Sequence, residues 1–488
     1  MFCPRKWEPN RYTVILYNAL SSLKSPLILN ARFSLLLGLL VSSAASAADP
    51  FRVLDRVPPS LAPELRPAAV CDAVAPSGPI SLAQAVERAL CANPATRSAW
   101  LTARLRAAEL GQAYSAYLPS LSLSGSLSRD GARMLPSDRS AWQLGMDAQY
   151  LLYDFGGRAA QRDAAEALLA AARASQDASV RQLYLQTVTA YFNLLTAQGA
   201  VTVAREAEAS ALAALKAATA RVAAGTAIPF DRLQAKTVYT QRQIDRIRAE
   251  GEAERMQGEL AALMGDARQT SFSVIDSEAA FSQAPDLGTK VDALIDAALS
   301  RRPDLRAAEA TVLAQQAGVR SAKAAGKPSL SAFYDAQRQD SGSLTATSSS
   351  VGINLTIPLF TGYRNTYQIA AAQTQADLAV AERDRVANQV ALDVWRAYYS
   401  VKSETEADSR SADLVESAVA AEKLALGRYR AGLGILLDVL SAQANLAQAR
   451  QTQLQTRLGL RVARAGLAQA IGDLSWDWLE PAQQEGTR

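Results

Sequence analysis

The side chains in this sequence that could do chemistry are carboxylates, hydroxyls and thiols, because its 488 residues include no histidine. The absence of histidine removes the commonest general base, the Ser-His-Asp and Cys-His arrangements and every His-ligated metal site. Aspartate, glutamate and serine are abundant, but no paired carboxylates and no nucleophile turn stand in a recognisable setting. The sequence therefore predicts a protein that is not an enzyme and that uses no metal and no cofactor.

Two cysteines, Cys71 and Cys91, lie twenty residues apart and could form a local disulfide in an exported protein. The third cysteine, Cys3, falls in a segment that we interpret below as a removed leader. The same spacing is compatible with two unpaired thiols, so the sequence leaves both alternatives open.

The carboxylates of Asp231 and Asp438 occupy equivalent places in two similar segments, RVAAGTAIPFD and RYRAGLGILLD. Each follows a glycine by six residues, and these glycines, Gly225 and Gly432, can take the left-handed conformation that a helix end prefers. A helical run resumes after each turn. One interpretation of both aspartates is therefore an acidic residue that favours the start of the returning helix, aided in the first copy by Pro229.

Basic residues precede the same two turns. Arg221 lies before the first turn, and Arg428 and Arg430 lie before the second. A cation near a helix C-terminus interacts favourably with the helix dipole. We therefore interpret these arginines as dipole partners.

The turns are positioned by two very long predicted helices, 157–223 and 363–430. Apolar residues recur in the first at steps of three and four, the spacing of one helix face, at Val180, Tyr184, Val188, Tyr191 and Leu195. Each helix would be on the order of 100 Å long.

The chain is an internal duplication. Pro94 corresponds to Pro303, 209 residues later, and Gly225 corresponds to Gly432, 207 residues later. Each unit is predicted to contain helical sequence, two strands, a very long helix, a tip turn and a return helix. The first unit, 81–266, opens with one helix and has its strands within 118–155, whereas the second, 289–473, has its strands within 328–360. An irregular segment, 267–288, separates the units, and 474–488 forms a C-terminal tail.

Before the first unit, the sequence has the layout of a secretory signal peptide. The apolar run Phe33–Val41 follows the basic Lys24 and Arg32 and precedes Ala45-Ser46-Ala47. We assign 1–47 to the signal peptide and the proline-rich stretch 48–80 to an extended arm. Residues 1–47 also account for the net charge of +4, so the remainder is formally neutral, and no basic patch predicts nucleic-acid binding.

The predicted strands alternate strictly. Leu121, Leu123 and Leu127 point one way and the serines between them point the other. In the second unit, Val351, Ile353, Leu355 and Ile357 alternate with Ser350, Gly352, Asn354 and Thr356. Such segments fit transmembrane barrel strands, with a half-buried soluble hairpin as the alternative.

Strand number favours an oligomer. Four strands per chain cannot close a membrane barrel, which needs about eight or more because lipid tolerates no unpaired sheet edge. A symmetric assembly could close one, with eight strands as a dimer or twelve as a trimer, and would pack the long helices into a tube.

These features resemble the TolC-like outer-membrane factor family, over roughly Ser81 to Asp473. The matching features are LPS and KPS turns at Pro119 and Pro328, the strand exits YDFGGR and LFTGYR, and the two tip turns, in the same order twice. The resemblance implies an α+β membrane protein, a homotrimer with a 12-stranded transmembrane β-barrel in the outer membrane. A long α-helical coiled-coil tunnel would continue the barrel across the periplasm.

The resemblance also implies a function, a passive exit duct for tripartite multidrug efflux or type I protein secretion. Its partners would be outer-membrane lipid, a periplasmic adaptor (membrane fusion) protein and an inner-membrane ABC or proton-driven transporter. The adaptor would contact the tip turns at Gly225, Thr226, Gly432 and Leu433. An alternative is that the chain is itself a periplasmic coiled-coil adaptor, but such a protein should lack two pairs of lipid-facing strands.

In the resembling family, a ring of aspartates and a tyrosine-centred hydrogen-bond network close the tunnel at the tip. Matched by position, the ring aspartate is Asp438, the tyrosine is Tyr429 and its partner aspartate is Asp231. Two positions depart from the pattern, because a second ring aspartate of some members falls on Ser441 and an arginine of the network falls on Gly434.

Overall fold

The computed structural model describes residues 49–57, 79–130, 139–265, 272–276, 280–281, 290–341 and 344–474. The chain divides into two compact units, Met1–Arg52 and Val53–Arg488, and the elements described below belong to the second. The predicted signal peptide lies outside the described residues, as do most of the proline-rich arm, of the segment 267–288 and of the tail.

In the described part of the second unit, each repeat contributes two shorter helices, two strands and a pair of longer helices. The helices are α1 (Leu82–Ala92), α2 (Pro94–Ser115), α3 (Gly157–Ala223), α4 (Pro229–Leu263), α5 (Val291–Arg301), α6 (Pro303–Ala324), α7 (Arg364–Arg430) and α8 (Leu436–Ala470). The strands are β1 (Ser120–Asp130), β2 (Arg139–Tyr153), β3 (Ser329–Asp340) and β4 (Thr345–Thr356). Among these helices, none combines the length and hydropathy needed to cross a membrane.

The first repeat opens with two helices, where the sequence predicted one. Pro94 is the first residue of α2 and has no N–H to continue the hydrogen-bond ladder of α1, so the helix breaks after Ala92. The Asn93 side chain accepts a hydrogen bond from the Ala95 amide at 2.9 Å and caps the new helix. Pro303 likewise starts α6, so both repeats open with helices of 11 and 22 residues.

The long helices α3 and α7 are each 67 residues long, roughly 100 Å at about 1.5 Å per residue. Helices in folded proteins are stabilised mainly by packing rather than by propensity. α3 packs against α2, α4, α6 and α8, and α7 packs against α5, α6 and α8. Both long helices end at the tip turns, so they determine where those turns lie.

The strands form one antiparallel sheet in chain order, β1-β2-β3-β4. Its register sets apolar residues opposite one another, with Leu123 paired to Met146 and Leu330 paired to Leu355. These residues share one face, because successive residues of a strand point to opposite faces. Leu123 is 71% exposed and Leu355 is 59% exposed. The structure therefore contains the predicted alternation, with the apolar face uncovered in the single chain.

The buried cores are shared between the repeats. The largest cluster joins α1, α3, α4 and α8, a second joins α5, α7 and α8, and a third joins the tip ends of α3, α4, α7 and α8. In the first, Tyr191 of α3 is fully buried, and its hydroxyl lies 2.9 Å from the Ile80 carbonyl oxygen and 2.5 Å from that of Ile275. Because α8 packs against α3, the duplication has produced one packed unit rather than two independent domains.

Candidate functional site

The turn after α3 is closed by backbone hydrogen bonds. Gly225 adopts a φ of +69°, and the Thr226 amide donates to the Arg221 carbonyl at 2.9 Å. The Gly225 amide donates to the Val222 carbonyl at 3.1 Å. This pair of bonds is the Schellman motif, which gives partners to carbonyl groups that a helix end otherwise leaves unpaired.

The turn after α7 has the same geometry. Gly432 adopts a φ of +80°, the Leu433 amide donates to the Arg428 carbonyl at 2.9 Å, and the Gly432 amide donates to the Tyr429 carbonyl at 3.1 Å. A residue with a Cβ atom would be strained at this φ. Both glycines thus take the left-handed conformation that the sequence predicted, and both hairpins turn in the same way.

Exposed apolar side chains surround the two turns. Each of the following residues, which we call the tip patch, is more than half exposed: Ile228, Phe230, Leu233, Leu433, Ile435 and Leu437. Contiguous exposed apolar surface marks a binding site for another protein or for lipid. The tip therefore presents exposed apolar side chains beside both turns.

The aspartates lie in the first turns of the return helices, Asp231 in α4 and Asp438 in α8. Asp438 is exposed and Asp231 is half-buried. The residues before these helices, Ile228 and Ile435, provide no side-chain cap, so a first-turn carboxylate is the charge that stabilises each helix start.

Tyr429 is the central buried residue of the tip. It is 2% exposed and packs with small and aliphatic side chains of the four tip helices, among them Ala214, Ala218 and Ala235. The Arg221 guanidinium lies 4.7 Å from the centre of the Tyr429 ring, and its Nη1 donates to the Tyr429 carbonyl at 2.8 Å. Burial raises the pKa of the Tyr429 hydroxyl, while the charge of Arg221 opposes that rise.

The hydrogen bond expected between Tyr429 and Asp231 is not formed. The Tyr429 hydroxyl is enclosed and has no hydrogen-bond partner among the described residues. Asp231 is near enough for its negative charge to raise the pKa of Tyr429 further. Apolar packing and Arg221 hold the ring instead, because the side chain lies within the apolar cluster of the tip.

The sequence assigned Arg221 only to the helix dipole, and its contact with Tyr429 was missed. The two residues are 208 positions apart, and no periodicity relates the end of α3 to the end of α7. The available signal was the duplication itself, because it implies two equivalent helix ends that could pack against each other.

Two other predictions concern cysteines and metals. Cys91 is disulfide-bonded, whereas Cys71 lies outside the described residues, so their pairing stays a prediction. In the described ranges, no group of three or more acidic or cysteine side chains could hold a metal ion.

Known proteins resemble the chain in both sequence and fold. Protein CyaE of Bordetella pertussis is 28% identical over 412 residues, which cover 81% of this chain and 84% of that protein. The pyoverdine export outer membrane protein OpmQ of Pseudomonas putida is 28% identical over 350 residues, covering 68% and 71%. The outer membrane protein VceC of Vibrio cholerae has the same fold, with a TM-score of 0.70, 22% identity and coverage of 80% and 96%.

The family model described as "Outer membrane efflux protein" matches residues 85–266 and 294–473, most of both repeats. This match confirms the resemblance seen in the sequence and the outer-membrane location, and it does not support the adaptor alternative. The chain, with its paired strands and long helical hairpins, belongs to the outer membrane efflux protein family.

Proposed function

We propose that three copies of this chain form the passive exit duct of a tripartite export system, for efflux or type I secretion. A periplasmic adaptor and an inner-membrane transporter, ABC-type or proton-driven, would open the duct at its tip. The observation that carries this proposal is the exposed apolar face of a sheet whose edge strands, β1 and β4, each pair with a neighbouring strand on one side only among the described residues.

The sheet suits closure by several copies. Antiparallel strands alternate in direction, so with four strands per chain β4 of one copy would run antiparallel to β1 of the next. Repeating this contact around a rotation axis removes both open edges, as lipid requires. Three copies would give a twelve-stranded barrel with the face of Leu123 and Leu355 towards lipid and that of Asn354 towards the lumen.

The helices also carry apolar surface that neighbouring copies would cover. On α7, the exposed large side chains include Tyr367, Leu378, Trp395, Tyr399 and Leu424. On α2 and α4, they include Leu101, Leu105 and Ile247. Exposed apolar surface on this scale is unusual for a single soluble chain and favours burial between subunits.

At the tip, Asp438 would have a second role besides stabilising the start of α8. Three exposed Asp438 side chains would face one another in a confined ring, and such rings attract cations. The adaptor would bind the tip patch and the turns at Gly225, Thr226, Gly432 and Leu433. The names of relatives, among them a pyoverdine export protein and a toluene efflux pump protein, support export as the task.

Fractionation and mass measurement test the proposal. We expect the protein in the outer-membrane fraction, extracted only by detergent, and light scattering should give the mass of three mature chains. A protein that is fully soluble without detergent, or a complex of one chain, would contradict the duct and favour the adaptor alternative.

A further inference from the structure

Arg221 belongs to the last turn of α3 but makes its main contacts with the end of α7. Its Nη1 donates to the Tyr429 carbonyl at 2.8 Å, and its guanidinium stacks over the Tyr429 ring at 4.7 Å. Its Nη2 donates to the Thr226 carbonyl at 3.4 Å, within its own turn. One planar cation therefore joins both tip turns, through hydrogen bonds and a cation–π contact.

The charge at the two helix ends explains why a cation at position 221 is favourable. α3 and α7 both end at the tip, where Ala218 of α3 and Tyr429 of α7 share one buried cluster. Helix C-termini carry partial negative charge, so two ends side by side repel each other. A guanidinium between them offsets this repulsion, and its planar fork can donate to carbonyls on both sides.

The corresponding arginine of the second repeat makes no such contact. Arg428 lies 207 residues after Arg221, at the same place before its turn. Its side chain is exposed and has no hydrogen bond or ion pair among the described residues. The duplication thus provides a matched pair, one arginine that joins the two turns and one that does not.

Gly434, the position where the resembling family carries a network arginine, has little room for a side chain. A Cβ atom there would lie 3.3 Å from the Arg428 Cβ and 3.3 Å from the Tyr429 amide nitrogen. Such distances require neighbouring atoms, one of them backbone, to shift. Because position 434 is a glycine, a cation that ties this turn to its neighbour comes from another position.

We propose that Arg221 is the positioning residue that ties the two tip turns together and holds the duct closed. This inference rests on the proposed function, because closure has meaning only for a duct. Tyr429 is buried beneath the guanidinium. Moving the end of α7 away from α3 must therefore break the hydrogen bond and the cation–π contact together.

Amide hydrogen exchange of the assembled protein in detergent tests whether Arg221 holds the two tip turns together, and the measurement does not depend on transport. Losing a charge-assisted hydrogen bond and a stacked cation in Arg221→Ala should speed exchange in the last turn of α7 about tenfold or more. Arg428→Ala should leave it unchanged. Tyr429→Phe should also leave it unchanged, because the ring and the backbone carbonyl remain.

Three outcomes would overturn the tie: no faster exchange in Arg221→Ala, equal acceleration in Arg428→Ala, or equal acceleration in Tyr429→Phe. Light scattering confirms that each variant is assembled. Arg221→Lys provides a milder variant, because it keeps the charge but lacks the planar fork. Its exchange rate should fall between those of wild type and Arg221→Ala. A lysine variant that exchanges as fast as the alanine variant would show that a charge without the fork contributes nothing, which would contradict the dipole argument.

Single-channel recording then tests closure. Mean conductance should rise in Arg221→Ala and stay unchanged in Arg428→Ala. If conductance does not rise while exchange does, Arg221 joins the turns without closing the duct, and the proposal is wrong. If wild type forms no channel although exchange responds as expected, the proposed function fails and the tie between the turns stands.

Discussion

Gly199 of α3 lies against the side chain of Leu454 of α8, so closely that a Cβ atom at position 199 would be 2.8 Å from the leucine Cδ1. The contact joins the first repeat to the second, next to the largest buried cluster. A Cβ atom at position 199 would therefore force the Leu454 side chain to move, so the close approach of the two helices favours glycine here.

Substitution at this contact should destabilise the fold. We expect Gly199→Val to lower the free energy of unfolding by about 1 to 3 kcal/mol, because the added methyl groups overpack the helix interface. Gly251 of α4 has no atom within 4 Å of an added Cβ, so Gly251→Val is the matched control and should change stability by less than about 0.5 kcal/mol. Thermal unfolding followed by circular dichroism compares the two, and equal melting temperatures would contradict the packing.

The two faces of β4 should respond differently to a charge. Leu355 pairs with Leu330 on the apolar face, whereas Asn354 pairs with Ser331 on the polar face. Leu355→Arg should cost about 2 to 4 kcal/mol if the site lies near the bilayer midplane, whereas Asn354→Arg should be tolerated far better. Membrane insertion of the two variants measures the difference. Equal insertion would show that the barrel assignment is wrong.

Stability in alkali should depend on Tyr191. Burial raises the pKa of its hydroxyl from 10.0 to about 12. Between these pH values the unfolded chain loses this proton and the folded protein keeps it, so the free energy of unfolding falls as pH rises. This contribution of Tyr191 to the free energy of unfolding is fully present below pH 10. For a pKa shift of about two units, roughly 2 to 3 kcal/mol of stability is lost by about pH 12.

Tyr191→Phe provides the comparison for that pH dependence. The variant lacks the hydroxyl that lies beside the Ile80 and Ile275 carbonyls, so it should be less stable at pH 8. Its stability should also fall less steeply between pH 10 and 12 than that of wild type. If the free energy of unfolding, measured in urea, falls equally steeply with pH in both proteins across this range, Tyr191 does not set the alkaline limit of stability.

The sequence could predict the elements whose signals are local. The spacing of Val180, Tyr184 and Val188 indicated the first long helix. Gly225 indicated where that helix ends, and Gly432 indicated where its copy in the second repeat ends. Strict alternation gave the phase of the strands, because register is fixed wherever one face is apolar. The extra helix of the first repeat was missed, although Pro94 and the capping Asn93 indicate its start.

Contacts between distant segments could not be read in the same way. Neither the approach of Gly199 to Leu454 nor that of Arg221 to Tyr429 follows from a periodic pattern, because each depends on how α3 packs against the second repeat. The expected bond between the Tyr429 hydroxyl and Asp231 was wrong for the same reason. Matching positions to a family indicates which residues lie at the tip but not which of them are in contact.

Ion selectivity of single channels tests the central claim, that several copies surround a pore whose tip is lined by Asp438. In planar bilayers, wild type should be cation-selective and blocked by divalent cations, and Asp438→Asn should weaken both effects. The control is Asp377→Asn, an exposed carboxylate of α7 roughly 80 Å along the helix from the tip, which should leave block unchanged. If Asp438→Asn has the selectivity and divalent block of wild type, Asp438 serves only the start of α8 and the tip is not the constriction.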